Sequence, residues 1–393
     1  MIKLNNLFRP IFIFWYATEI LFNTTLESFF GIPISQLNSI VNYIVLIFLI
    51  IQISFFQIYR KKEIIIITCI SIPIIVAAAK STNFSLLSAW MFIIASKKSD
   101  FDEIVDIAYK ILCVMIPLVM ICCFIGIIED YTGVRNEIVR HSLGFSHPNQ
   151  LGLRLFQFMA CYLYRKKSML KFYDFFVPIV IMIFTYLIPN SQTAYICMLI
   201  LILLLFVYII GEQYSQSILS IYGKALIVFA VLFNALSVSW SIINVRGNPI
   251  LYQIDLWLSR RFSACYRVFQ LYGISLLGQR VYIFEEERKV VGIIGKLYLD
   301  NGYMALLLRY GIIVYGVFSV SYIFAMLHMK KRNQYFLLIV LFVYALYGVM
   351  ENGIYMVTHN IFLISFGNIL YEKLINETDI KVEKRMKIVV RRR

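Results

Sequence analysis

Charged side chains are scarce in this chain of 393 residues. Asp, Glu, Lys and Arg make up 15% of it and hydrophobic residues 61%, against about 25% and 45–50% in a soluble globular protein. That deficit excludes a soluble enzyme. Glycine and proline are thin too, at 18 and 8 residues, below average usage of about 7% and 5%. Membrane carriers draw on both for close helix contacts and broken helices, so the shortage weighs against a transporter. Seven cysteines are present, but all except Cys265 lie inside apolar runs and no Cys-x-x-Cys spacing occurs. Neither a disulfide framework nor a zinc site is legible, and no metal is expected. There is also no phosphate-binding glycine loop, haem signature or Gly-x-Ser-x-Gly elbow. Chemistry driven by ATP or by a bound cofactor is therefore not expected.

What the chain has is apolar length. Hydropathy places spans near 10–22, 40–59, 64–79, 84–96, 111–128, 149–164, 175–189, 194–210, 225–240, 303–327, 335–350 and 354–371. Twelve spans of about 20 residues use about 240 residues, close to the whole apolar share, leaving little for a soluble domain. The expected fold is an all-α polytopic membrane protein with a single transmembrane domain over 1–371 and a basic cytoplasmic tail over 372–393. The first span follows Lys3 and Arg9 without a small-residue cleavage site, and reads as retained rather than as a signal peptide.

The formal charge of +15 reports topology here rather than a nucleic-acid partner, because cytoplasmic loops collect Lys and Arg. With both termini cytoplasmic, alternate loops gather 24 of the 37 basic residues. The 13 left on the other side and its membrane margin include ten arginines: Arg135, Arg140, Arg154, Arg246, Arg260, Arg261, Arg267, Arg280, Arg288 and Arg309. Arginine grips carboxylate or phosphate with a planar two-pronged fork, whereas lysine offers a point charge. This bias predicts an anion-recognition surface on the outer face; ordinary pairing with Glu129, Asp130, Glu137 and 285–287 is the plain alternative. Two outer loops exceed a hairpin, 129–148 and 242–302. Within the second, 256–258 and 269–277 look like short amphipathic helices at the membrane surface.

Three constellations stand out there. His147-Pro148-Asn149 places a proline where a helix begins, with Arg140 just before it and Arg154 one to two turns inside. Arg260, Arg261, Arg267 and Arg280 form a second group. If 260–267 is helical, Arg260 and Arg267 share a face and suit a diphosphate, or anionic headgroups. The third is Asp300-Asn301-Gly302-Tyr303, with Arg309 about 12 Å further along the helix. An arginine at that depth is functional by default. Asp300 reads either as a catalytic or positioning carboxylate or as a plain helix cap. Glu351 and His359 border the last outer turn.

At these residues the sequence resembles the Wzy-type polymerases of bacterial O-antigen, capsule and exopolysaccharide repeat units. The likeness rests on His147-Pro148-Asn149, Leu258-Ser259-Arg260-Arg261, Tyr272 to Gly278, and Asp300-Asn301-Gly302-Tyr303, in that order between the expected spans. Arg260 stands where the family usually has Gly, Leu277 where Phe is common, and Gln192 where a short-turn Arg is common. Related O-antigen ligases usually carry a His-Asn pair where this chain has Asp300-Asn301, which favours polymerase over ligase. The resemblance implies a GT-C-like glycosyltransferase in the bacterial cytoplasmic membrane. Its donor and acceptor would be oligosaccharides on undecaprenyl diphosphate, and its partners the bilayer, a flippase and a chain-length regulator. It also implies Asp300 or His147 as catalytic base. Arg140, Arg261 and Arg280 would hold the diphosphate, supported by Arg260, Arg267, Arg309, Arg154, Asn149, Asn301 and Glu351. A ligase-like transferase and a lipid-linked oligosaccharide flippase are the rivals.

Overall fold

The computed structural model describes residues 7–135, 137–283 and 297–371. The basic tail and the charged stretch holding Glu285–Glu287, Arg288, Lys289 and Lys296 lie outside the described residues. Within them the chain is helical almost throughout. The helices are α1 (Phe8–Phe22), α2 (Ile34–Phe55), α3 (Lys61–Ser81), α4 (Ser85–Ala95), α5 (Phe101–Phe124), α6 (Pro148–Arg165), α7 (Phe176–Leu187), α8 (Gln192–Tyr214), α9 (Gln216–Ile242), α10 (Pro249–Trp257), α11 (Arg261–Tyr272), α12 (Gly302–Lys331), α13 (Tyr335–Met350) and α14 (Ile361–Tyr371). Six of these, α2, α3, α5, α8, α9 and α12, are long and apolar enough to cross a membrane. Many large apolar side chains on them face outward, such as Ile65 on α3 and Val114 on α5. In water that arrangement would be costly; against lipid it is what a membrane helix shows.

Most span positions expected from hydropathy coincide with helices, and two differ in kind. Residues 354–371 are not one helix. An irregular segment over 351–360 precedes α14, whose first turn is a tight 3-10 turn at Ile361–Ile364. Helix α12 is interrupted by a widened π turn at Leu306–Tyr310. There Gly311 has φ +85°, and a side chain would collide with the Gly278 backbone at 2.5 Å. Into that break docks the extended segment after α11, with Ile312 N donating to Ser275 O and Gln279 N to Arg309 O, both at 3.0 Å. The helix expected over 269–277 is therefore present only to Tyr272, where α11 stops, and the extended stretch that follows satisfies backbone groups that the interrupted helix leaves free.

The loop 129–148 folds into an antiparallel hairpin, β3 (Thr132–Arg135) with β4 (Ile138–His141), pairing Gly133 with Arg140 and Arg135 with Ile138. Alternation along paired strands puts Arg135 and Arg140 on one face. A second short hairpin, β1 (Ser28–Phe29) with β2 (Ile32–Pro33), precedes α2. At the opposite end of the bundle the charges are paired: Lys97 with the buried Glu63, Arg165 with Asp106, and Lys167 with Asp102.

Candidate functional site

Four chain segments converge at the hairpin end. Helix α6 opens with Pro148 in its first turn, and His147 caps it by accepting the Asn149 N–H on Nδ1 at 3.1 Å. That placement holds the Asn149 side chain at the helix mouth, where it accepts from Arg140 at 2.5 Å through Oδ1 and donates to Glu351 Oε1 at 3.0 Å through Nδ2. Arg140 is buried and its Nε donates to Pro189 O at 2.9 Å. The turn 189–193 can approach this closely because residue 152 is glycine; a Cβ there would lie 2.4 Å from that of Ser191.

Arg261 completes the group. Its Nη2 donates to Glu351 Oε1 at 2.9 Å, and Nη1 lies 3.8 Å from Asp300 Oδ2. Its position is set by Asp255, a fully buried carboxylate on α10 that accepts the Phe262 N–H at 2.9 Å and the Ser263 hydroxyl. Asp255 thus caps the start of α11 from the preceding helix. Arg260 takes a left-handed conformation at φ +58° just before α11. The helix therefore begins at Arg261, and the proposed face shared by Arg260 and Arg267 does not form: Arg260 lies outside the helix, both are exposed, and Arg261 alone turns inward.

Three guanidiniums, Arg135, Arg140 and Arg261, act on one another and on two carboxylates, Glu351 and Asp300. The surplus positive charge favours an added anion. Burial and the neighbouring Arg135 bring Arg140 down to about 10, still charged at neutral pH. Burial alone would lower Arg261 as well, but Glu351 and Asp300 outweigh it and raise the net value. Burial raises the Glu351 carboxyl, against the pull of Arg261. His147 is held below its ordinary value by burial and by Arg140 and Arg135, although the residue keeps part of its surface exposed. A neutral ring that accepts on Nδ1 presents an N–H at Nε2.

Beside this cluster runs an apolar groove of about 380 Å³ between α8, α9 and α13, walled by Ile196, Phe233, Leu236 and Trp240 and roofed by Trp257 and Phe262. Arg135 and Arg261 line the same groove, together with Gln192 and Thr193.

The remaining sequence candidates sit elsewhere. Asn301, not Asp300, caps α12: its Oδ1 accepts from Tyr303 N and Met304 N, and its Nδ2 donates to Ser237 Oγ at 2.6 Å. Asp300 is left free to face Arg261. Arg154 is fully buried, donating from Nη1 to Gln157 at 2.9 Å and to Thr358 O at 2.7 Å. Arg309, in the π turn, hydrogen-bonds Tyr355. Arg280 is exposed and lies over the Tyr282 ring at 4.8 Å. His141 binds Asp130, which also accepts the Ser142 and Leu143 N–H groups. Sequence reasoning counted Arg135 among the outer arginines without singling it out, and passed over Asp255. The first was legible from strand alternation with Arg140; the second required knowing that α10 folds back on α11. Among the described residues no three His, Cys, Asp or Glu side chains converge to hold a metal ion. No protein-family model, curated protein or solved structure matches the chain.

Proposed function

We propose that the chain polymerises undecaprenyl-diphosphate-linked oligosaccharide repeat units at the outer face of a bacterial cytoplasmic membrane, moving the growing glycan from its lipid diphosphate onto the next lipid-linked unit. The observation that carries this reading is the continuity of the apolar groove with the arginines: Arg135 and Arg261 line the same groove as Ile196, Phe233 and Leu236. A ligand with an apolar tail and a diphosphate head fits both halves. The tail displaces lipid in the groove, and the head meets guanidiniums whose forks match phosphate oxygens.

In this reading the six long helices and six shorter ones, α1, α4, α6, α7, α13 and α14, make twelve crossings with both termini cytoplasmic. Helices α10 and α11 lie over the outer face, in the GT-C-like manner. Ile250, exposed on α10, then labels from outside intact cells as Ile250→Cys; labelling only after permeabilisation would invert the topology.

The reaction joins an acceptor hydroxyl to C1 of the donor's reducing-end sugar. The bond from C1 to the diphosphate oxygen breaks, and the leaving polyprenyl diphosphate carries away the electron pair and its negative charge. Arg135, Arg140 and Arg261 stabilise that charge. The acceptor proton passes to a carboxylate. Asp300, with a side chain 47% exposed beside Arg261, is open to an acceptor; Glu351 is 18% exposed and its Oε1 is already taken by Arg261 and Asn149. His147, occupied at Nδ1, donates rather than accepts. Deleting the gene and sizing the lipid-linked glycan tests the assignment. Single repeat units accumulating on lipid at the outer face support a polymerase; units trapped inside point to a flippase, and full-length glycan left on lipid points to a ligase.

A further inference from the structure

The irregular segment 351–360 has two functional ends. Glu351 belongs to the arginine cluster, whereas Met356 to His359 form one wall of a separate cavity of about 360 Å³ between α1, α2 and α4. That volume is within the range of about 300–1,000 Å³ typical of small-ligand sites. Its polar lining comes from Glu19, Asn38, Asn42, Ser85, Ser88 and His359, and among the described residues no Lys or Arg lines it. Arg154, which acts on both Glu19 and His359, is fully buried and does not line the cavity, so the lining itself offers a carboxylate and no cation, which disfavours phosphate. It is therefore chemically distinct from the arginine-lined groove.

The lining is organised. Trp15 Nε1 donates to Asn42 Oδ1 at 3.2 Å, and Asn42 Nδ2 donates to Glu19 Oε1 at 3.0 Å and to Asn38 Oδ1 at 2.8 Å. This fixes Glu19 through one oxygen and leaves Oε2 without a protein donor among the described residues. His359 Nδ1 is engaged by the Thr358 hydroxyl at 2.9 Å. Its ring lies against Gly353, where a Cβ would come within 2.7 Å, which holds the ring in place, and Nε2 has no hydrogen-bond partner among the described residues. Tyr43 and Phe84, 61% and 47% exposed, stand among the lining residues.

From this we infer that the cavity binds an uncharged sugar. A pyranose presents an apolar C–H face and a rim of hydroxyls that both donate and accept. Aromatic side chains cover the first, and a carboxylate oxygen and an imidazole nitrogen held in fixed positions, with the serine hydroxyls beside them, pair with the second. The inference rests on the polymerase reading for its biological meaning: the lipid diphosphate sits in the arginine-lined groove, and a sugar of the glycan sits on the other side of the segment 351–360. That segment is pinned to α6 by Arg154 and Gln157, both donating to Thr358 O at 2.7 Å.

The test uses the full chain in lipid nanodiscs, which avoids sugar-headed detergent. One probe is the oligosaccharide released by mild acid from the lipid-linked glycan of the producing cells, read by saturation-transfer NMR; the other is undecaprenyl diphosphate. The expected result is binding of both by the wild type. Ser88→Trp, which fills the cavity, and Glu19→Gln, which removes its charge, should weaken the oligosaccharide at least tenfold and leave undecaprenyl diphosphate unchanged. Arg261→Ala should do the reverse. Wild-type binding of undecaprenyl diphosphate without the oligosaccharide, or unaltered oligosaccharide binding in both cavity variants, overturns the sugar site alone. Oligosaccharide binding lost in the cavity variants, with no undecaprenyl diphosphate binding in the wild type, keeps the sugar site and removes the polymerase reading.

Discussion

Arg261 and Glu351, ninety residues apart, meet at 2.9 Å, and the same Glu351 oxygen accepts from Asn149. One carboxylate thereby ties α11 and the mouth of α6 to the end of α13. The pair is built of long-range contacts, so its geometry depends on every element that delivers it.

Replacing Arg261 by Lys keeps the charge but loses the fork that reaches both Glu351 and Asp300. Polymer output should fall at least tenfold while the melting temperature changes little. Arg261→Ala leaves a largely buried carboxylate with Asn149 as its remaining donor, a loss on the order of 3 kcal/mol, and should lower the melting temperature as well. Normal polymer length in Arg261→Lys would show that a point charge suffices.

Asp300 caps no helix in this structure, since Asn301 does that. Asp300→Asn should therefore abolish polymer formation at matched expression without thermal destabilisation, whereas Asn301→Ala should destabilise by about 1 kcal/mol through the lost cap. Near-normal polymer from Asp300→Asn would remove Asp300 as the base.

Asp255 acts through Arg261. Losing a buried cap costs about 1–2 kcal/mol, so Asp255→Ala should lower the melting temperature and reduce affinity for undecaprenyl diphosphate. Asp255→Asn, which retains an acceptor, should recover most of both. Unchanged affinity in Asp255→Ala would mean that Arg261 does not depend on this cap.

His147 provides a pH signature. Burial and Arg140 hold its folded pKa below the ordinary 6.5, so as pH falls the unfolded chain takes up the proton first. Its contribution to stability is complete above about 6.5 and is lost as pH falls toward the folded value. His147→Asn keeps an acceptor for the helix cap and removes the titration. The melting temperature of the variant should fall less than that of the wild type between pH 7.5 and 5.5; identical slopes would assign the effect to another group.

The helices were legible because lipid-facing sequence must be apolar over a fixed length, a constraint that each span satisfies by itself. The start of α6 was legible for a related reason. Proline suits a first helical turn wherever it occurs, so His147-Pro148-Asn149 announced a helix mouth without any knowledge of its neighbours. The expected helix over 269–277 is cut short at Tyr272, where Gly273 at φ +64° turns the chain out of the helix into an extended segment. Only the break at Gly311, thirty-odd residues on, offers Ser275 to Gln279 a backbone to pair with.

Composition and spacing determined that this chain is a helical membrane protein with arginine concentrated at one end, because hydropathy and charge act locally, residue by residue. Which arginines work together was decided by tertiary structure. Arg135 and Arg140 share a hairpin face, Arg261 turns inward because Asp255 starts α11 one residue after Arg260, and Arg154 and Arg309 belong to other networks. A guanidinium's role depends on which carboxylate, carbonyl or groove it reaches, and those partners arrive from segments that the sequence places far apart.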